Sequence, residues 1–151
     1  MKTVKITLTR VEISRFLFGD YGDYGKGLWV IDVTKKEDAI LGTMFEFEVA
    51  DTYWSQRLIS KIEERHEEAE ENMAKPATER KVCLLPLCEE IGTNARIRIG
   101  FLPGVKYRED VTLGLIASFT KKEILQIRQM GKVSVREIEE MLLRHGLKFK
   151  S

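Results

Sequence analysis

Residues 112–149 read TLGLIASFTKKEILQIRQMGKVSVREIEEMLLRHGLKF, and they contain the clearest structural signals of the C-terminal third of the chain. Thr120 and Glu123 have the spacing of a capping box. In a capping box the hydroxyl accepts from the backbone N–H three residues later, while the carboxylate reaches back to the first N–H. Ser134 and Glu137 repeat this spacing fourteen residues further on. Two helix starts so close together predict two short helices joined by a tight turn.

The first helix is predicted at about 121–129 and the second at about 135–145, after a short helix at about 112–117. Gly131 lies in the connection, where a residue with positive φ is expected, and Gly146 supplies a left-handed stop. This helix-hairpin-helix pattern is expected to close on an apolar seam of seven side chains: Ile124, Ile127, Met130, Val135, Ile138, Leu142 and Leu147.

The same stretch resembles the second half of the C-terminal domain of the bacterial RNA polymerase alpha subunit. That family reads roughly I-G-D-L, then T-E-x-E-L-L, then L-G-K-K-S-L-x-E-I-K-x-x-L and a final R-G-L. Over residues 112–149 the match needs no gap and falls on Gly114, Thr120, Glu123, Leu125, Gly131, Lys132, Ser134, Glu137, Ile138, Leu142, Gly146 and Leu147. The resemblance implies a bacterial or phage protein in a transcription-related setting, with this module bound to duplex DNA at the minor groove.

The resemblance also implies which residues contact the DNA backbone. They belong to the glycine loop and the start of the following helix, and here they are Gly131, Lys132, Ser134 and Glu137. Physical chemistry agrees with this use, because a helix N-terminus offers unpaired N–H groups and a glycine lets a phosphate approach closely. Two nearby cations, Arg128 and Arg136, are added to this set on their spacing alone.

Two departures from the family bear on DNA binding. Val133 stands where the family has a second lysine. The family's first helix, with its groove-inserting arginine and an N-C-L-K-like run, has no counterpart in residues 100–111. A second interpretation therefore stays open, in which the module docks on RNA polymerase or another nucleoprotein partner without binding DNA directly.

The rest of the chain, residues 1–104, predicts a β-rich domain, and residues 105–151 a small all-α domain. The whole protein is expected to be of the α+β class. The predicted elements are strands at 2–15 (with a bulge before Val11), 28–33, 44–49, 81–87 and 95–101, a polar break at 35–38, and a helix at about 53–74. The order β-β-β-α-β-β is that of an OB-fold barrel, although other small α+β domains share it. An OB-like body with a hairpin gives a third interpretation, binding to single-stranded or branched DNA.

Composition limits the classes of protein that fit. The chain has 151 residues, of which 43% are hydrophobic and 32% charged. No apolar run approaches the ~20 residues that span a bilayer, so we expect no membrane partner and a cytoplasmic location, nucleoid-associated if the protein binds DNA. Residues 105–151 hold ten Lys and Arg against six Asp and Glu, which is typical either of a domain with an anionic partner or of a basic surface in solvent.

The sequence contains no motif typical of a catalytic site or a metal site. A tetrahedral zinc site would consume every Cys and His in the chain, namely Cys83, Cys88, His66 and His145. We therefore expect buried, reduced cysteines, a surface His66, and His145 as a partner of the helix dipole. We predict no enzyme activity, no catalytic residue, no metal, no cofactor and no small-molecule substrate.

One loop carries a further candidate site. Residues 19–27 read GDYGDYGKG, and Tyr21 and Tyr24 have the character of stacking platforms for nucleobases. The alternative is a mobile hairpin tip without a ligand.

Overall fold

The computed structural model describes residues 1–18, 26–86, 89 and 91–151. Its contacts divide the chain into two compact units, Met1–Glu67 and Glu68–Ser151. The boundary predicted near residue 104 falls inside the second unit. The reason is that residues before 104 share one apolar core with the C-terminal helices, among them Leu85, Ile91, Ala95, Ile99 and Leu102.

The first unit is built on an open antiparallel sheet of three strands. They are β1 (Thr3–Thr9), β2 (Val30–Asp38) and β3 (Gly42–Ala50), in the spatial order β1-β3-β2. In the register, Ile6 and Val33 both lie opposite Phe47 of the central strand. The buried side chains of this unit include Ile6, Leu8, Phe16, Val49, Leu58 and Ile62.

Two predictions for this sheet are wrong in detail. Residues 10–15 do not continue the first strand past a bulge, because the chain turns into α1 (Arg10–Ile13) and a π-helical turn at Ser14–Phe18. A capping box starts α1: Thr9 Oγ1 accepts from Glu12 N at 3.2 Å, and Glu12 Oε1 accepts from Thr9 N at 3.1 Å. The polar break predicted at 35–38 belongs to β2, where pairing with β3 overrides the polar composition.

The helix predicted at about 53–74 is confirmed as α2 (Tyr53–Met73). Its start is fixed by a reciprocal pair: Ser55 N donates to Thr52 Oγ1 at 3.3 Å, and Thr52 N donates to Ser55 Oγ at 2.8 Å. Across the described ranges, no helix is both long enough and apolar enough to cross a membrane.

The strands predicted at 81–87 and 95–101 are wrong where the structure describes them. The described residues form an open sheet of three strands instead of a five-stranded barrel. Val82–Leu84 is a 3₁₀ turn, and the second segment is α3 (Thr93–Arg98) followed by a 3₁₀ turn at Ile99–Phe101. The alternation of Ile97, Ile99 and Phe101 suggested a strand. The buried residues instead recur with the helical spacing of Ile91, Ala95, Ile99 and Leu102.

The second unit is an assembly of short helices around one core. After α3 come α4 (Leu113–Ala117), α5 (Lys121–Leu125) and α6 (Lys132–Arg144). The predicted seam is confirmed: five of its seven side chains are in the core cluster, and Ile127 and Leu147 pack against it. Gly146 has a φ of 73°, which confirms it as the left-handed stop after α6.

Candidate nucleic-acid interface

The start of α5 has the predicted cap. Thr120 Oγ1 accepts from Glu123 N at 3.1 Å, and Glu123 Oε2 accepts from Thr120 N at 2.8 Å. The helix ends at Leu125, earlier than the predicted 129, and residues 126–131 then form the connection to α6. We call residues 126–131 the turn.

The second predicted capping box is not formed. Helix α6 begins at Lys132, and its N-cap is Gly131. Ser134 therefore lies inside the first helical turn, where its side chain is buried. Glu137 is half-buried, and its Oε2 accepts from the backbone N–H of Gly92 at 2.9 Å. Both side chains thus face the preceding part of the unit instead of each other.

A helix that the sequence did not predict supports this region from one side. Asn94, near the start of α3, places its Nδ2 2.9 Å from Ser134 Oγ and 3.0 Å from the carbonyl oxygen of Gln129. Because an amide NH₂ carries two protons, it can serve both acceptors. One side chain therefore fixes the start of α6 and the turn before it.

The left-handed residue of the turn is Gln129, with a φ of 63°. The prediction that Gly131 takes this conformation is wrong, since its φ is −88°. A non-glycine residue here costs energy, and the contacts around it offset that cost. Besides the bond from Asn94 to its carbonyl, its Oε1 accepts from Arg98 Nη2 of α3.

The surface around the start of α6 is basic and open. Arg128, Lys132 and Arg136 are all exposed, and Lys132 and Arg136 are one turn apart on the same face of α6. A Cβ placed on Gly131 would meet nothing within 4 Å. Because glycine has no side chain, Gly131 cannot cap the N–H groups of the first turn of α6, which lack partners within the helix.

A groove of about 820 Å³ adjoins the turn. Its walls combine two arginines, two glutamines, one glutamate and four apolar residues: Arg98, Arg128, Gln126, Gln129, Glu123, Phe101, Pro103, Phe119 and Ile127. Phe101 is 64% exposed, and the guanidinium of Arg98 lies 5.5 Å from the centroid of its ring. An exposed aromatic ring beside cations has the chemistry that stacks on a nucleobase and pairs with a phosphate.

The other polar candidates lie elsewhere. Tyr21 and Tyr24 fall outside the described residues, as does Cys88. The expectation of buried cysteines is wrong for Cys83, which is exposed because its segment is a turn and not a core strand. His66 is exposed as predicted, with its Nε2 2.9 Å from Glu12 Oε2.

His145 is more deeply placed than a surface partner of a helix dipole. Its side chain is buried, and its Nδ1 lies 2.9 Å from Nη1 of Arg80. Since arginine only donates, Nδ1 is the acceptor of this bond, and the other ring nitrogen, Nε2, lies 3.3 Å from Glu89 Oε2. These three side chains form a polar contact within the second unit, away from the candidate set in sequence.

The sequence did not identify Asn94, Arg98 and Phe101 as site residues, because residues 95–101 were predicted to form a strand and Asn94 directly precedes them. The helical spacing of the buried residues from Ile91 to Leu102 was the signal that could have found them. No family model, curated protein or solved structure shows a significant match to this chain.

Proposed function

We propose that this is a DNA-binding, transcription-related protein whose second unit contacts the duplex backbone through the turn and the start of α6. The observation that carries the proposal is the beginning of α6 at an open glycine, Gly131, with exposed cations on either side of it. A phosphate needs close approach, N–H donors and positive charge, and this surface offers all three.

Backbone contact is assigned to four members of the predicted set: Arg128, Gly131, Lys132 and Arg136. The other two, Ser134 and Glu137, are positioning residues in this proposal, because their polar atoms are already bonded to Asn94 and to the Gly92 N–H. In this proposal Ser134 and Glu137 match the family pattern because they maintain the structure of the module, and they do not contact DNA directly.

Helix α3 also supports the proposal. The family that residues 112–149 resemble has an arginine-bearing helix before its hairpin. Residues 100–111 of this chain contain no counterpart of that helix. Helix α3 lies further upstream, carries Arg96 and Arg98, and contacts the turn through Asn94 and Arg98. In this chain it braces the turn, and the cations that face the phosphates come from the turn and α6.

Fluorescence-anisotropy titration of a 20–30 bp duplex, at salt low enough to favour phosphate contacts, tests this function. Lys132→Ala is expected to weaken binding. Lys148→Ala removes an equal charge beyond the far end of α6, a helix about 20 Å long, and is expected to leave binding unchanged. Equal weakening in the two variants would indicate a non-specific charge effect. No binding by the wild type would leave protein docking as the better function.

A second candidate, binding to single-stranded or branched DNA, is favoured by the groove beside the turn. Its exposed Phe101 and its two arginines suit an unpaired nucleotide, with the base on the ring and the phosphate on a guanidinium. Phe101→Ala is expected to weaken binding to a single strand about tenfold and to leave duplex binding unchanged, since stacking contributes about 1–3 kcal/mol per base. Tyr107→Ala, an exposed aromatic outside the groove, is the matched control.

A further inference from the structure

The edge strand β2 of the first unit is unusual in its exposure. Among the residues that the structure describes, only β3 pairs with it, and all nine of its residues, Val30–Asp38, are exposed. Ile31 and Val33 are each 46% exposed, and Trp29 and Leu41 near its two ends are exposed as well. An edge strand with apolar side chains presents N–H and C=O groups to any other strand that can lie beside it. In β2 the N–H of Val33 donates to Asp32 Oδ1 at 2.9 Å, a local bond that pairing with a second strand would replace.

The charges along β2 identify that other strand. When two copies of a strand pair antiparallel about a two-fold axis normal to the sheet, each residue opposes one from the same face. The register that places Thr34 opposite Thr34 of the partner subunit sets Asp32 against Lys36 of the partner subunit, and the pair occurs twice. Shifting the partner strand to the next allowed register in one direction places Lys35 opposite Lys35 of the partner subunit. Shifting it to the next allowed register in the other direction brings no opposite charges together.

The neighbouring strand adds a reason why Asp32 needs a cation. In the β2–β3 register Asp32 lies opposite Glu48, and like charges in directly opposed positions destabilise a sheet. The Nζ of Lys36 lies 2.7 Å from Glu46 Oε2, so this lysine is held over the same face. A lysine from a second copy would place positive charge on the open side of Asp32.

We propose that two copies of this chain associate through β2, antiparallel and with Thr34 at the two-fold axis, to form a continuous six-stranded sheet. The Asp32–Lys36 pairs fix the register, and the ladder hydrogen bonds of the edge strand supply the contact. On the other face Val33 of each copy packs on the aliphatic stem of Lys35 of the partner subunit. The proposal concerns the first unit and does not depend on DNA binding.

Sedimentation equilibrium of the full chain is the first test, and it is expected to give twice the chain mass of 17.5 kDa. Asp32→Lys and Lys36→Asp each place like charges opposite one another at both pairs, so each variant alone is expected to dissociate at least about tenfold more readily. Lys2→Asp makes the same charge change at an exposed residue of the first unit outside β2, and it is expected to remain dimeric.

Mixing Asp32→Lys with Lys36→Asp gives the sharpest result. A dimer of one copy of each restores opposite charges at both positions, so the mixture is expected to regain the dimer mass that neither variant shows alone. Circular dichroism spectra matching that of the wild type check that both variants are folded. A monomeric wild type, a dimer indifferent to both substitutions, or a mixture that stays monomeric would each overturn the proposal.

Discussion

The side-chain amide of Asn94 in α3 donates to the hydroxyl of Ser134 in α6, with 2.9 Å between Nδ2 and Oγ. The same nitrogen lies 3.0 Å from the carbonyl oxygen of Gln129. The proposed DNA surface, made of the turn and the start of α6, is thus held in place by a residue outside it.

Replacing Asn94 should loosen the turn and leave a buried hydroxyl without its donor. Asn94→Ala is expected to lower the free energy of unfolding by about 1–2 kcal/mol, the cost of leaving a buried polar group unsatisfied. Urea denaturation measures it, with Thr93→Ala as a neighbouring exposed control. Equal stability of the two variants would contradict the bracing role of Asn94.

Gln129 adopts a left-handed conformation, so its backbone limits what can replace it. Gln129→Gly relieves a cost of about 1 kcal/mol and removes the acceptor of the Arg98 bond, and we expect a stability within about 1 kcal/mol of the wild type. Gln129→Val places a β-branched side chain at φ 63° and is expected to cost about 2 kcal/mol. Chemical denaturation of both variants compares them, and equal effects would argue against a left-handed residue here.

A substitution of Glu137 distinguishes a positioning role for this residue from a direct contact with DNA. Glu137→Ala removes the acceptor of the Gly92 N–H and is expected to lower the free energy of unfolding by about 1–2 kcal/mol. Its effect on the salt dependence of DNA binding should be no larger than that of Glu140→Ala, an exposed neighbour on α6. A changed salt dependence in Glu137→Ala alone would place this carboxylate beside the phosphates.

Asp38 gives the first unit a pH-dependent contribution to its stability. Its Oδ1 accepts from the backbone N–H groups of Leu41 and Ile40, at 2.8 Å each, and these bonds lower the pKa of the Asp38 carboxyl. A lowered pKa stabilises the fold above the ordinary pKa of the group, and the contribution disappears as the pH falls through the lowered value.

Asp38→Asn is therefore expected to lower the melting temperature at pH 7. The difference from the wild type should shrink toward zero as the pH is lowered to about 2. Thermal denaturation followed across this range provides the check. A difference in melting temperature that does not vary with pH would mean that the charge of Asp38 does not stabilise the turn at residues 38–41.

Local signals predicted the parts of the fold where short-range chemistry decides the structure. The Thr120–Glu123 box, the apolar seam and the Gly146 stop are all present, because caps and helical periodicity act over a few residues. The Ser134–Glu137 box failed for a tertiary reason. Asn94 and Gly92 lie far away in sequence, yet they take the two polar groups that the local pattern paired with each other.

The segment around α3 could not be assigned from its alternating pattern. Ile97, Ile99 and Phe101 alternate as in a strand, but only Ile99 of the three is buried. The helical set that includes Ala95 and Leu102 prevails because it packs into the core of the second unit. With that helix misassigned, Asn94 and Arg98 could not be placed beside the turn.

The dependence of duplex affinity on salt tests the central claim most directly. The slope of the logarithm of affinity against the logarithm of salt concentration, between about 50 and 200 mM, counts phosphates neutralised by the protein. For Lys132→Ala combined with Arg136→Ala we expect a slope smaller by about two than that of the wild type, because each removed cation leaves one phosphate without neutralisation. A slope unchanged in this double variant, or no duplex binding by the wild type at the lower salt, would contradict the proposed contact.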